Sequence, residues 1–181
     1  MQAKRTRKLI ARSQLESGME KIKLREFRPR YHKNLLRMYS DFRPEDTAFG
    51  IPPSRRVPRR RWIENLEHTG LNVIALAGRR IVGHASIIDA PEEDFCEFIF
   101  FVHPAFRGRG IGTSLAGEIC RRALCLGKSR IWIVIEGKNE EAVKAMYRIG
   151  FRISGVYGGD YEMELDLEPV EAGEGLAGVL R

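Results

Sequence analysis

Three glycines at alternate positions, Gly108, Gly110 and Gly112, make the part of this sequence best suited to holding a ligand. They lie in the segment Arg107-Gly108-Arg109-Gly110-Ile111-Gly112-Thr113, between a strongly apolar run and an amphipathic helical pattern. Glycine lets a backbone turn tightly and come close to a ligand. The first amides of the following helix have no intrahelical acceptor, and the helix dipole favours an anion there. Arg107 and Arg109 add positive charge, so a diphosphate is the natural guest. Spacing excludes two other phosphate loops. A dinucleotide fingerprint needs a glycine where Thr113 stands, and it follows a first strand, whereas this loop follows the fourth. A P-loop at Gly127-Lys128-Ser129 has Arg122 where its first glycine belongs. A glycine-rich turn without a ligand is the remaining alternative.

The second feature is a lone carboxylate. Glu97 stands among Phe95, Cys96, Phe98, Ile99, Phe100 and Phe101. An unpaired charge is costly in such surroundings, and burial would raise the pKa of Glu97 toward the range useful for a general base. The competing reading is a glutamate paired with an arginine or turned out at a strand edge. His84, on the preceding strand, is the reserve base.

The elements that must position these groups are readable from periodicity. Lys21 to Phe27 alternates as a first strand, and a helix runs from Arg28-Pro29 to about Tyr39. Residues 41 to 58 carry four prolines and form a loop. A helix follows over Arg59 to His68, then the strands Leu71 to Ala77 and Arg80 to Ile88, joined by Gly78-Arg79 as a hairpin. Phe95 to Val102 is the fourth strand. A helix over Gly112 to Leu126 puts Leu115, Ile119 and Ala123 on one stripe, and Gly127 stops it. Ile131 to Ile135 is a central strand. Asn139 caps a helix that ends at Gly150. Phe151 to Val156 and Tyr161 to Leu167 complete the order β-α-α-β-β-β-α-β-α-β-β.

On these residues the chain resembles the GNAT superfamily of N-acetyltransferases. Arg107-x-x-Gly110-x-Gly112 looks like that family's coenzyme A pyrophosphate motif, and Asn139-x-x-Ala142…Gly150-Phe151 like its fourth helix. The resemblance covers about residues 20 to 168. It implies an α/β GNAT fold: a mixed, mostly antiparallel sheet of about seven strands, splayed between strands 4 and 5, with helices on both faces. It implies acetyl-CoA as cofactor, its pantetheine arm paired with the backbone at Phe101 and Val102. The pyrophosphate would rest on the amides of Arg107, Gly108, Arg109, Gly110, Ile111, Gly112 and Thr113, with Asn139 approaching from the fourth helix. Acetyl transfer to an amine then needs a base, which is Glu97. Glu97 to Val102 also resembles the base-bearing strand of members that acetylate protein lysines.

The resemblance breaks at one position. Many members carry a tyrosine four residues before the glycine of the Gly-Phe pair, to protonate the leaving thiolate. Here Met146 stands there and Tyr147 follows it, turned about 100° around the helix. Tyr147 is thus the candidate acid on an altered phase. The implied acceptor is a protein lysine or N-terminal amine, with a polyamine-like small molecule as the alternative. A non-catalytic module that binds acyl-CoA is a further one.

Composition bounds the rest. The chain has 181 residues, enough for one domain with a full core. Its net charge of +7 is concentrated in residues 1 to 30, which hold ten Lys/Arg against three Glu; the remainder is neutral. Residues 1–19 read as a basic extension, 20–168 as the domain and 169–181 as a tail. A nucleic-acid contact through the basic arm is a sharper reading than a solvated tail, and the less favoured one. The run Arg55, Arg56, Arg59, Arg60 and Arg61 reads as a solvated face paired with Glu64 and Glu67, the alternative being attraction of an anionic acceptor. Cys96, Cys120 and Cys125 show no metal spacing and read as reduced core residues. No metal and no membrane span is expected, the cytoplasm is the default compartment, and monomer and homodimer stay open.

Overall fold

The computed structural model describes residues 21–49, 51–89 and 93–167. Within them run seven strands: β1 (Ile22–Glu26), β2 (Gly70–Ala77), β3 (Arg80–Asp89), β4 (Phe95–Val102), β5 (Arg130–Ile135), β6 (Arg152–Tyr157) and β7 (Asp160–Asp166). Four α-helices accompany them: α1 (His32–Ser40), α2 (Arg56–Thr69), α3 (Ile111–Cys125) and α4 (Glu140–Ile149). The basic extension and the whole of the expected tail lie outside the described residues. The sheet order is β1-β2-β3-β4-β5-β7-β6. Every adjacent pair is antiparallel except β4 and β5, whose parallel arrangement follows from the crossover through α3.

The α/β sheet with helices on both faces is as the resemblance implied. Alternation along β2 explains it. Ile74 and Leu76 face α1 and α2, joining Leu35, Met38, Tyr39 and Ile63 in one core. Val73, Ala75 and Ala77 face the other way, into a core with Ile111, Leu115 and Ile119 of α3 and Val143, Met146 and Ile149 of α4. Cys96 and Cys120 are buried in that second core, where burial pushes the Cys120 thiol up to about 12. Cys125 is exposed, so the core assignment fails for it.

Helix boundaries differ in informative ways. Pro29–Tyr31 is a 3-10 turn that precedes α1 rather than part of it. Helix α2 begins at Arg56, three residues earlier than the sequence suggested, and takes Pro58 into its first turn. Proline is tolerated there because the first-turn amides have no intrahelical partner anyway. In the arginine run, Arg59 Nε donates to the Pro53 carbonyl at 2.8 Å and Arg60 pairs with Glu64 at 2.8 Å. Glu67 does not join them; it pairs with His32 at 2.7 Å.

Candidate active site

Strands β4 and β5 stay together for only three register pairs, from Phe95↔Arg130 to Glu97↔Trp132. Beyond Glu97 they diverge, and a cleft of about 1090 Å³ opens between them. Glu97, Ile99 and Val102 line it from β4, Ile133 to Ile135 from β5, and the glycine loop closes one end. Helix α4 adds Asn139, Glu141, Lys144, Ala145 and Arg148.

Backbone conformation builds the loop. Gly108 and Gly110 sit at φ of 70° and 74°, in the left-handed region that favours glycine. Gly112 is needed for a different reason: a Cβ there would come within 3.0 Å of the Phe100 ring. Helix α3 starts at Ile111 with no side-chain cap, so the amides of Ile111, Gly112 and Thr113 lack intrahelical acceptors. Ile111 and Leu115 pin the helix start against Gly83 of β3, whose own Cβ would meet Leu115 at 2.9 Å. The result is an anion cradle of main-chain donors on a rigid support.

The two arginines part company. Arg107 lines the cleft and pairs with Asp46 at 2.9 Å. Arg109 turns back on its own loop, over the Phe106 ring at 4.8 Å and donating to the Ala105 carbonyl at 3.2 Å. It is not among the residues that line the cleft. Asn139, which lines the cleft, accepts from the Ala142 amide at 3.3 Å as the cap of α4, so its side-chain oxygen is engaged by the helix.

Of the two residues expected to offer backbone groups to a ligand, Val102 turns them to the cleft and Phe101 does not. His103 N–H donates to the Val82 carbonyl, in register with the ladder that pairs Val102 with Gly83. Antiparallel backbone groups alternate in direction, so Phe101 turns its own toward β3. Val102 and Phe100 present theirs to the cleft. Phe101 reaches the cleft wall only with its ring, which also packs on Tyr39, Phe42 and Trp62.

The candidate bases separate clearly. Glu97 is half-buried in the cleft wall, and desolvation raises its pKa. His84 is fully buried against Tyr39, opposite Phe101 in the β3/β4 ladder and four positions along it from the partner of Glu97. Asn72 spends its N–H groups on the Leu66 and Gly70 carbonyls, so its Oδ1 accepts from His84 Nε2–H at 2.9 Å. His84 Nδ1 therefore accepts the Tyr39 hydroxyl at 2.7 Å. Burial holds the His84 pKa down at about 3. This imidazole is neutral, satisfied and away from the cleft, which removes it as a reserve base.

Tyr147 is 50% exposed and is not among the residues lining the cleft. The cause is the phase of α4: Val143, Met146 and Ile149 take the core side, so the next position after Met146 faces out. Sequence reasoning placed a loop at 41 to 58, between α1 and α2, but not its contacts with the cleft. Glu45, Asp46, Phe49 and Ile51 cross the mouth of the cleft, and Phe49 N–H donates to Glu136 Oε1 at 2.7 Å. Among the described residues no helix is long and apolar enough to cross a membrane, and no cluster of metal-ligating side chains occurs.

This geometry has counterparts. The model of the family described as "Acetyltransferase (GNAT) family" matches residues 35–151. An uncharacterised N-acetyltransferase of Mycobacterium tuberculosis is 29% identical over 76 residues, covering 42% of this chain and 49% of that protein. The match thus spans about half of that relative. The L-methionine sulfoximine/L-methionine sulfone acetyltransferase of Pseudomonas aeruginosa is 28% identical over 128 residues, 67% of this chain and 74% of that protein. A GNAT superfamily phosphinothricin acetyltransferase of Sinorhizobium meliloti, solved with acetyl-CoA, superposes with a TM-score of 0.64 at 21% identity. That superposition covers 81% of this chain and 88% of the other.

Proposed function

This chain belongs to the acetyltransferase (GNAT) family, and from that membership we propose that it moves the acetyl group of acetyl-CoA to a primary amine. The observation that carries the reading is the splayed β4/β5 pair, whose cleft joins the glycine loop at one end to Glu97 on its wall. The residues fit the cofactor. Uncapped amides at 111–113 suit a diphosphate, and the Phe100 and Val102 backbone groups suit the amides of a pantetheine arm. Lys144 and Arg148, one helical turn apart on the cleft side of α4, add cationic partners for its phosphates.

Bound there, acetyl-CoA supplies a thioester whose carbonyl carbon bonds to the amine nitrogen as its C–S bond breaks. The protein's part is to manage protons and orientation. An alkyl ammonium with pKa near 10.4 must lose a proton to expose its lone pair. Glu97 takes that proton, directly or through one water, with its raised pKa making it a stronger base than an exposed glutamate. The Val102 amide orients the carbonyl oxygen. No side-chain acid is assigned, since Tyr147 faces away; a thiol with pKa near 8.5 leaves tolerably as thiolate.

Two acceptor classes belong to the proposal. The sequence of β4 favours a protein lysine or N-terminal amine. The loop across the cleft mouth and the Pseudomonas relative favour a small amine. A panel of lysine peptides, free amino acids with their sulfone analogues, and polyamines separates them, read by release of free thiol and product mass. Acetylated product from one class and not the others assigns the acceptor. Tight acetyl-CoA binding with no product from any class would replace the enzyme by an acyl-CoA-binding module.

A further inference from the structure

The loop between α1 and α2 is tied down at two points, one on each lip of the cleft. On the glycine-loop lip the Asp46 carboxylate, its side chain only 11% exposed, pairs with Arg107 Nη1 at 2.9 Å. On the β5 lip Phe49 N–H donates to Glu136 Oε1 at 2.7 Å. Between them the loop braces itself through Asp46 N–H to the Arg43 carbonyl and Thr47 N–H to the Pro44 carbonyl. Phe49 is held at φ 52°, a left-handed conformation rarely adopted by so large a side chain. A backbone held this way depends on its anchors rather than on its own preference. The segment is therefore a strap across the acceptor side of the cleft.

Its first anchor has a competitor. Arg107 opens the loop whose amides hold the diphosphate on the functional reading above, on which this inference rests. We propose that the diphosphate of acetyl-CoA takes the Arg107 guanidinium from Asp46 and thereby releases the strap, so that the acceptor side opens after the cofactor has bound. The charges favour the exchange. A diphosphate brings two negative charges and paired oxygens to the guanidinium, against one carboxylate. Arg107 is 42% exposed and free to swing, whereas Asp46 is left poorly hydrated beside a new anion of its own sign. Without Arg107 that carboxylate keeps only the Arg43 N–H, at 3.1 Å, and regains water for its other oxygen only if the strap moves. Asp46 is in this sense a positioning residue: it acts on the reaction through Arg107 and the strap, not by touching the reacting atoms.

Coenzyme A and pantetheine separate the diphosphate's effect from that of merely filling the cleft, since pantetheine has the arm and lacks the diphosphate. Hydrogen–deuterium exchange of the wild-type protein is read at the amides of Glu45 to Phe49, alone and saturated with each compound. The expected result is faster exchange with coenzyme A and no change with pantetheine. In parallel, Asp46→Asn removes the competing charge. It should tighten coenzyme A by roughly three- to tenfold while leaving pantetheine affinity unchanged, a diphosphate-specific shift that a merely structural role would not produce. Unchanged or slowed exchange with coenzyme A overturns the release, as does an Asp46→Asn protein that binds coenzyme A no better. If that variant does not fold, the wild-type exchange decides alone. Absence of any coenzyme A binding would bring down the functional reading and the release with it. Binding with a silent strap would bring down the release only.

Discussion

The glycine-loop lip of the cleft and the strap across its mouth are made of different material. The lip is main chain: left-handed Gly108 and Gly110, uncapped amides at the start of α3, and a helix pinned by Ile111 and Leu115 in a dry core. The strap is side chain on a loop, held by Asp46 against Arg107 and by Glu136 against the Phe49 amide. Main-chain donors on a packed helix cannot be retuned by a single side-chain change, which suits a ligand of fixed chemistry. Side-chain anchors between exposed loops exchange partners and drift with sequence, which suits a partner that varies. On the function proposed above, the cleft joins a rigid diphosphate cradle to an adjustable entrance.

The largest loss should come from the rigid side. Gly110→Val forces a β-branched residue to φ 74°, at a cost of a few kcal/mol if the loop keeps its shape. No protein atom lies within 4 Å of the added Cβ, so the fold survives while the cradle is distorted and obstructed. Acetyl-CoA affinity should fall at least 100-fold, with the melting temperature lower by no more than about 10 °C. Retained affinity would mean the phosphates sit elsewhere. Glu97→Gln comes next, with turnover lower by about 10² to 10⁴-fold and cofactor affinity kept. The rise of rate with pH that follows ionisation of Glu97 should disappear, leaving the slope set by the amine. An unchanged pH profile would exclude Glu97 as the base.

Smaller effects lie away from lip and strap. His84 titrates near 6.5 in the unfolded chain and at about 3 in the folded one. Acid therefore pulls toward the unfolded state: the stability His84 contributes is complete above about pH 6.5 and is lost as pH falls toward 3. Denaturant unfolding at pH 7 and 4.5 should show a drop about 2 kcal/mol smaller in His84→Gln than in wild type. Equal drops would mean the imidazole is not buried neutral. The smallest effect is expected for Tyr147→Phe, with kcat within about twofold of wild type because the hydroxyl points to solvent. A tenfold loss would restore it as the acid.

The contrast between lip and strap also explains what could be read from the chain. The cradle depends on glycines at fixed local spacing, so Gly108 to Thr113 announce it in one stretch. The strands followed from periodicity, whereas the splay between β4 and β5 came only from the family resemblance. The strap's partners are far apart in sequence, Asp46 with Arg107 and Phe49 with Glu136, and no period links them. The same holds for Tyr39, His84 and Asn72, whose shared hydrogen bonds turned a base candidate into a core group. The phase of α4 was visible in Met146, whose apolar side chain belongs to the core and turns Tyr147 outward. The backbone at Phe101 needed the ladder register, which strand periodicity cannot supply.

The most direct measurement is a calorimetric titration of acetyl-CoA into the purified protein, beside coenzyme A and NAD. A cleft built as described here should bind both coenzyme A species at micromolar concentration, one per chain, and NAD not at all. No heat from either coenzyme A species would mean that the glycine loop is only a turn and that the cleft serves another ligand.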